Sequence, residues 1–178
     1  MKILAIAGKA RNGKTTAANM IKDMAEKDGK KAIVVSYAGY VKYICTTYYG
    51  WNGEKDEAGR TLLQTVGDGF RLKYGERYWI DRLMADIEIL DGMYDYVMID
   101  DCRYPNEILV PQSLFETYSV GVKRLDFESD LTEEQKNHRS EIALDGFKFD
   151  YVITSISGIE NLSNPTKLLY EEIKCGDM

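Results

Sequence analysis

The sequence predicts an α/β fold in which helices cover both faces of a mostly parallel sheet of five strands. Two observations lead to this prediction. Short apolar segments that suit buried strands alternate along the chain with segments whose apolar residues recur at helical spacing. The first strand and the first helix are also joined by a glycine-rich loop, "GKARNGKTT" at residues 8–16. Repeated strand–helix alternation favours parallel strands joined by crossover helices.

The elements can be assigned in chain order. The first strand covers residues 3–7, and a helix with an apolar face of Ala17, Ile21 and Ala25 follows the loop. The other strands are expected at residues 32–37, 94–101, 118–125 and 149–155. Helical spacing covers residues 58–90, with an interruption at "GDG", residues 67–69. The last helix is expected to begin at "SNP", residues 163–165, because Ser or Asn caps a helix and Pro suits its first turn.

Length, net charge and the distribution of apolar residues exclude some classes of protein. With 178 residues the chain fits a single domain, 1–178, and the charged stretch at 126–139 suggests a small lid over the site. The net charge of −6 argues against a general nucleic-acid binder. No run of 18 apolar residues occurs, so no membrane partner is expected. We expect a cytoplasmic protein, in the host cytoplasm if the source is viral, and the sequence leaves a homodimer open.

The loop matches the pattern G-x-x-x-x-G-K-[ST], whose backbone N–H groups wrap a phosphate chain. Lys14 is expected to reach the β- and γ-phosphates of a nucleotide, and Thr15 to offer its hydroxyl to Mg²⁺. The strand before the loop and the amphipathic helix after it are the context that this motif requires. The expected nucleotide-binding residues are Gly8, Arg11, Asn12, Gly13, Lys14, Thr15 and Thr16.

Two carboxylates end the third predicted strand, at Asp100 and Asp101. A carboxylate in that position suits the Mg²⁺ shell, and the alternative is a cap on the next helix. Arg103 follows two residues later, at the strand end where α/β proteins bind ligands. Its planar guanidinium suits a phosphate.

A phosphate loop can serve nucleotide hydrolysis, a switch or phosphoryl transfer. No Asn-Lys pair occurs in the chain, which argues against a guanine-nucleotide switch, and one compact domain argues against a motor or remodelling ATPase. Transfer to an existing phosphate needs positive charge and alignment more than a base, because the nucleophile is already anionic. Arginines beyond the loop supply that charge, at positions 60, 71, 103, 124 and 139.

Five segments together resemble deoxynucleoside monophosphate kinases of the bacteriophage type. They are "GKARNGKTT", "GRTLLQTVGDGFR", "RYWIDRL", "DDCRYPNE" and "HRSE", in the same order as in that family, and the similarity spans residues 1–153. The resemblance implies an enzyme that uses ATP and Mg²⁺ to convert a deoxynucleoside monophosphate to its diphosphate. It also implies the P-loop kinase fold with a small lid.

The resemblance also implies roles for individual residues. Lys14, Asp101 and Arg103 would be catalytic, and Thr15 and Asp101 would face the metal. The expected substrate-binding residues are Lys42, Arg60, Gln64, Arg71, Trp79, Arg103, Glu107 and His138. The chain departs from the family pattern at Asn12, Thr15 and Asp68, which leaves the acceptor base open.

Two other functions remain open at this point. One is a P-loop kinase for another small phosphorylated metabolite, such as dephospho-coenzyme A. The other is a regulatory module that binds a nucleotide and hydrolyses it slowly. Small-molecule nucleotides are the expected partners in the favoured interpretation, and an acceptor-dependent release of ADP would distinguish it from the regulatory module.

Overall fold

The protein is described by a computed structural model that covers residues 1–127 and 131–176. Five strands form one sheet within those residues. They are β1 (Lys2–Ala7), β2 (Ala32–Val35), β3 (Tyr96–Cys102), β4 (Thr117–Arg124) and β5 (Tyr151–Ser155). Eight helices occur in the same described residues, between or after the strands. They are α1 (Lys14–Lys27), α2 (Ala38–Tyr49), α3 (Glu57–Tyr74), α4 (Tyr78–Leu90), α5 (Asn106–Leu114), α6 (Glu133–Lys136), α7 (Arg139–Ile142) and α8 (Ile159–Cys175).

The strand order is β2-β3-β1-β4-β5, and every neighbouring pair is parallel. The predicted five-stranded α/β fold is therefore confirmed. Because all five strands are parallel, their carboxyl ends lie at one edge of the sheet. The loops that follow the neighbouring strands β1 and β3 begin at that edge. That edge is where α/β proteins place their ligands.

Each face of the sheet carries its own core, because successive side chains on β1 point to opposite faces. Leu4 and Ile6 pack with the apolar sides of α1 and α8. Ile3 and Ala5 pack with residues of α4 and α5 on the opposite face. A third cluster joins α2, α3 and α4 around Trp79. Burial on both faces explains why residues 3–7 of β1 are all apolar, with no polar alternation.

The expected helix interruption at residues 67–69 is wrong. Helix α3 runs through that stretch, and the break lies at Gly75, which has a φ of 103°. Gly67 is buried, and its carbonyl accepts a hydrogen bond from the indole N–H of Trp79 at 3.0 Å. Trp79 also packs in the same cluster as Val66 of α3, and these contacts outweigh the low helix propensity of glycine.

The expected start of the last helix at residue 163 is also wrong. Helix α8 begins at Ile159, and Pro165 lies inside it. Leu162, Thr166 and Leu169 share the buried face of the helix on both sides of the proline. Packing of that face against the core offsets the ~3 kcal/mol that an internal proline costs.

The connection between β4 and β5 contains α6 and α7. The expected lid at 126–139 falls in this connection, and its residues 128–130 lie outside the described residues. Thr132 and His138 cap the two short helices through their side chains. Within residues 1–127 and 131–176, no helix has both the length and the apolar character that a bilayer crossing requires.

Candidate functional site

The loop between β1 and α1 contains three residues with positive φ, a backbone conformation that glycine adopts readily and other residues rarely adopt. Gly8 has a φ of 146°, and a side chain there would lie 2.3 Å from the carbonyl oxygen of Val122. Gly13 has a φ of 92° just before α1. Arg11 adopts a φ of 60°, which costs a non-glycine residue roughly 1–2 kcal/mol. The loop therefore keeps a curled shape that directs its N–H groups inward.

Lys14 lies inside the loop. Its ammonium group donates hydrogen bonds to the carbonyls of Gly8 at 2.8 Å and Lys9 at 2.9 Å. Burial, together with the nearby charge of Arg103, lowers the pKa of Lys14 to about 7. A bound polyphosphate would raise that pKa, because negative charge favours the protonated amine. The loop thus holds a cation that a phosphate chain would stabilise.

The two adjacent carboxylates at the end of β3 face different partners. The Thr15 hydroxyl donates a hydrogen bond to Oδ2 of Asp100 at 2.5 Å. Asp101 instead accepts hydrogen bonds from the backbone N–H groups of Tyr37 and Ala38, both at 2.9 Å. Asp101 therefore caps the N-terminal end of α2, and burial raises its pKa.

These contacts bear on the expected metal ligand, and they favour Asp100 over Asp101 in that role. Asp101 is engaged by backbone N–H groups, whereas the Asp100 carboxylate touches the hydroxyl of the phosphate loop. A hydroxyl and a carboxylate are oxygen ligands of the kind that Mg²⁺ accepts, so the pair of Thr15 and Asp100 fits this ion. No group of three or more His, Cys, Asp or Glu side chains suited to a metal occurs in the described part of the chain.

A cavity of about 560 Å³ opens at the carboxyl edge of the sheet. The phosphate loop forms one of its walls, through Ala10, Arg11 and residues 13–16. All eight residues expected to bind the acceptor also line it: Lys42, Arg60, Gln64, Arg71, Trp79, Arg103, Glu107 and His138. Gly8 and Asn12 face a second cavity of about 630 Å³ on the other side of the loop.

Three cations lie close together in the first cavity. Lys42 comes from α2, Arg60 from α3, and Lys55 from the connection between these helices. Partial burial, followed by the charges of Lys42 and Arg60, lowers the pKa of Lys55. The Nε of Arg60 donates to the Lys55 carbonyl at 2.8 Å, which leaves the two terminal nitrogens of Arg60 for another acceptor. Such a cation group suits a small anion.

Glu107 organises the centre of the cavity. Its buried Oε2 accepts hydrogen bonds from the backbone N–H groups of Arg103 at 2.6 Å and Tyr104 at 3.1 Å. Its Oε1 lies 3.3 Å from a terminal nitrogen of Arg71. Burial raises the pKa of Glu107 to about 7. Glu107 thus fixes the turn from which Arg103 projects, and it also positions Arg71.

His138 connects the β4–β5 segment to α3. Its Nε2 lies 3.1 Å from Oδ2 of Asp68, and its Nδ1 lies 2.9 Å from the hydroxyl of Ser140. Asp68 also pairs with Arg71 at 3.0 Å. Asp68 of α3 thus links His138 to Arg71.

Arg103 reaches back to the phosphate loop. One terminal nitrogen lies 2.7 Å from Oε1 of Glu141 and 3.4 Å from the carbonyl of Gly8. The other carboxylate oxygen of Glu141 accepts a hydrogen bond from the N–H of Ala10 at 3.1 Å. Arg103 is therefore next to the phosphate loop, and it also lines the first cavity.

Sequence reasoning did not assign roles to Lys55 or Glu141, and it left Asp100 and Asp101 as alternatives near the metal. A basic residue just before the "GRTLLQ" segment was a usable signal for Lys55. The alternation of side chains along β3 showed that Asp100 and Asp101 face opposite ways, but it left open which one faces the loop. Glu141 is 131 residues away from its loop partner in the chain, so local patterns could not pair them.

No protein-family model matches this sequence, and no curated protein matches it closely enough to count as a relative. Solved structures are nevertheless similar in fold. A mutant of the APS kinase of Mycobacterium tuberculosis has a TM-score of 0.52 at 11% identity, with 97% of this chain and 96% of that chain covered. The shikimate kinase of Aquifex aeolicus has a TM-score of 0.51 at 16% identity, with 99% of each chain covered. The shikimate kinase of Acinetobacter baumannii, in complex with shikimate, has a TM-score of 0.51 at 12% identity, with 99% and 94% covered. This chain therefore shares its α/β fold with these solved kinases.

Proposed function

We propose that the protein is a kinase that transfers the terminal phosphoryl group of ATP to a nucleoside monophosphate, with a deoxynucleotide favoured. The observation that carries the proposal is one cavity in which a phosphate loop faces a second group of cations. The loop suits the donor phosphates. The second group, Lys42, Lys55 and Arg60, suits an acceptor that already carries a negative charge. A nucleotide hydrolase would have no use for the second group.

On the donor side, the loop N–H groups and the Lys14 ammonium bind the β- and γ-phosphates. Thr15 and Asp100 would hold Mg²⁺, which supplies charge neutralisation on the donor phosphates. The buried position of Lys14 keeps water from screening its charge, so each contact there counts for more than at an exposed site.

On the acceptor side, an anionic phosphate oxygen forms the new bond to the γ-phosphorus. The bond from that phosphorus to its bridging oxygen breaks, and ADP leaves with the electron pair. No protein base has to remove a proton from a phosphate that is already ionised, which agrees with the prominence of cations in the cavity. Arg103 lines the cavity next to the phosphate loop, which supports a role in stabilising the negative charge of the transferred group.

The remaining wall suits a planar base. Trp79, which is only 2% exposed, lines the cavity, and so does Leu63. Gln64 lines the same region and offers an amide that donates and accepts hydrogen bonds. An aromatic wall with a few polar groups favours a nucleotide over an aliphatic metabolite. The resemblance of the "GRTLLQ" and "DDCRYPNE" segments to phage-type kinases supports the same acceptor.

Release of ADP should be measured with Mg²⁺ and ATP against a panel of ribo- and deoxynucleoside monophosphates, with dephospho-coenzyme A included. We expect ADP to appear only with a nucleoside monophosphate, together with one equivalent of the diphosphate. The Lys14→Ala variant is the control for contaminating kinases. Release that occurs without any acceptor would indicate a hydrolase, and release only with dephospho-coenzyme A would assign the alternative substrate.

A further inference from the structure

Glu141 makes two contacts that phosphoryl transfer does not need. Its Oε2 accepts a hydrogen bond from the N–H of Ala10 in the phosphate loop at 3.1 Å. Its Oε1 lies 2.7 Å from the guanidinium of Arg103. The Glu141 side chain is only 9% exposed, so this carboxylate lies within the site and not on the rim.

Both partners of Glu141 are groups that suit a phosphate. Loop N–H groups bind phosphate oxygens, and the guanidinium of arginine binds carboxylates and phosphates with the same fork geometry. A carboxylate also carries the negative charge that these groups require. The side chain of Glu141 therefore presents to the loop the same chemistry as a phosphate would.

We infer that Glu141 occupies part of the place of a donor phosphate in the ligand-free protein, and that a nucleoside triphosphate binds by displacing it. Glu141 then acts as an internal competitor of the donor. The inference rests on the proposed use of the loop for a nucleoside triphosphate, but it does not depend on which acceptor the enzyme uses.

Displacement of Glu141 would have a second effect. Arg103 is neutralised by Glu141 while the carboxylate is in place. Once a donor phosphate replaces Glu141, Arg103 is free to bind the phosphates instead. The positive charge next to the loop would therefore become available only after the donor has bound, and this favours donor binding before transfer.

The competition lowers apparent affinity by the fraction of molecules in which Glu141 is displaced. Glu141 makes two charge-assisted contacts from a nearly buried position, so only a small fraction of molecules should have it displaced. Weakening these contacts should therefore raise the apparent affinity for the donor by a large factor. We expect Glu141→Gln to tighten binding of the non-hydrolysable analogue AMPPNP with Mg²⁺ by roughly five- to thirtyfold. Glutamine keeps the shape and one acceptor oxygen but removes the charge.

Asp145→Asn is the matched control. Asp145 belongs to the same β4–β5 connection and pairs with Lys9 of the same loop at 3.2 Å, but both side chains are more than half exposed. The Asp145→Asn substitution removes one negative charge, as Glu141→Gln does. The ion pair that it breaks is exposed to solvent and contributes little free energy. We expect its AMPPNP affinity to stay within about twofold of that of the wild type.

Isothermal titration calorimetry with AMPPNP and Mg²⁺ decides between the outcomes, with melting temperatures measured on the same preparations. Tighter binding by Glu141→Gln alone supports the inference. Unchanged or weaker binding overturns it, and so does equal tightening by both variants, which would indicate a general charge effect. Glu141→Asp supplies the measurement if Glu141→Gln does not fold, since the shorter side chain withdraws from Ala10 and should also tighten binding. If the wild type itself does not bind AMPPNP, the proposed donor site fails as well.

Discussion

The adjacent carboxylates Asp100 and Asp101 should respond differently to the same substitution. Asp100 accepts a hydrogen bond from the Thr15 hydroxyl, whereas Asp101 accepts two from the backbone at the start of α2. Replacement of each by asparagine removes one charge and leaves the volume almost unchanged. We expect Asp100→Asn to impair Mg²⁺ use and Asp101→Asn to impair stability.

The size of each effect follows from the contacts. Asparagine at position 101 keeps one acceptor oxygen, so one backbone N–H of Tyr37 or Ala38 loses its charged partner, at a cost of about 1–2 kcal/mol. In a chain of this size that lowers the melting temperature by roughly 2–8 °C. Asparagine at position 100 still accepts from Thr15, so its melting temperature should change by less than about 2 °C.

The Mg²⁺ dependence of activity should change in the Asp100→Asn variant, whose stability is nearly that of the wild type, and not in the less stable Asp101→Asn variant. A charged group next to a metal typically contributes about 10- to 100-fold to metal affinity or activity. We therefore expect Asp100→Asn to raise the half-saturating Mg²⁺ concentration by about tenfold or more. The folded fraction of Asp101→Asn should show the Mg²⁺ dependence of the wild type.

The assay is ADP release at fixed ATP and acceptor across a Mg²⁺ titration, with thermal melting of each preparation. The interpretation of the structure would be refuted by a shift in Mg²⁺ dependence for Asp101→Asn with none for Asp100→Asn. An equal shift for both would show that the effect is the loss of charge near the loop and not contact with the metal.

Three further predictions concern the rest of the site. Lys14→Ala should reduce transfer by more than about a hundredfold, because the donor phosphates lose their buried cation, and near-normal turnover of the folded variant would contradict the loop assignment. Arg60→Lys should raise the acceptor KM about tenfold with the ATP KM unchanged, since lysine lacks the planar fork; a fall in ATP affinity alone would contradict the acceptor placement. Glu107→Gln should flatten the pH dependence of stability. The pKa of Glu107 is raised to about 7 in the folded protein, so its stabilising contribution is complete below pH ~4.5 and decreases as the pH rises to about 7. Denaturant unfolding of wild type and variant between pH 4 and 8 measures this difference, and parallel curves would show that Glu107 does not titrate in that window.

The local patterns of the sequence determined several features of this protein. The phosphate loop was predictable because its spacing of glycines and lysine is contiguous and its backbone geometry depends on nearby residues. The parallel sheet was predictable because strands buried on both faces are apolar throughout and alternate with amphipathic helices. The eight residues that the sequence predicts to bind substrate line one cavity together with most of the loop residues, although their binding role stays a prediction.

Tertiary structure decided the features that depend on contacts between distant residues. Helix α3 continues through Gly67 because Trp79 packs and hydrogen-bonds there, and propensity alone argued for a break. The roles of Asp100 and Asp101 followed from which face of β3 meets the loop and which meets α2. Glu141 reaches the loop only because the connection between β4 and β5 folds back over it. Local propensity reports short-range preferences, whereas pairings across the sheet edge are set by packing of the whole core.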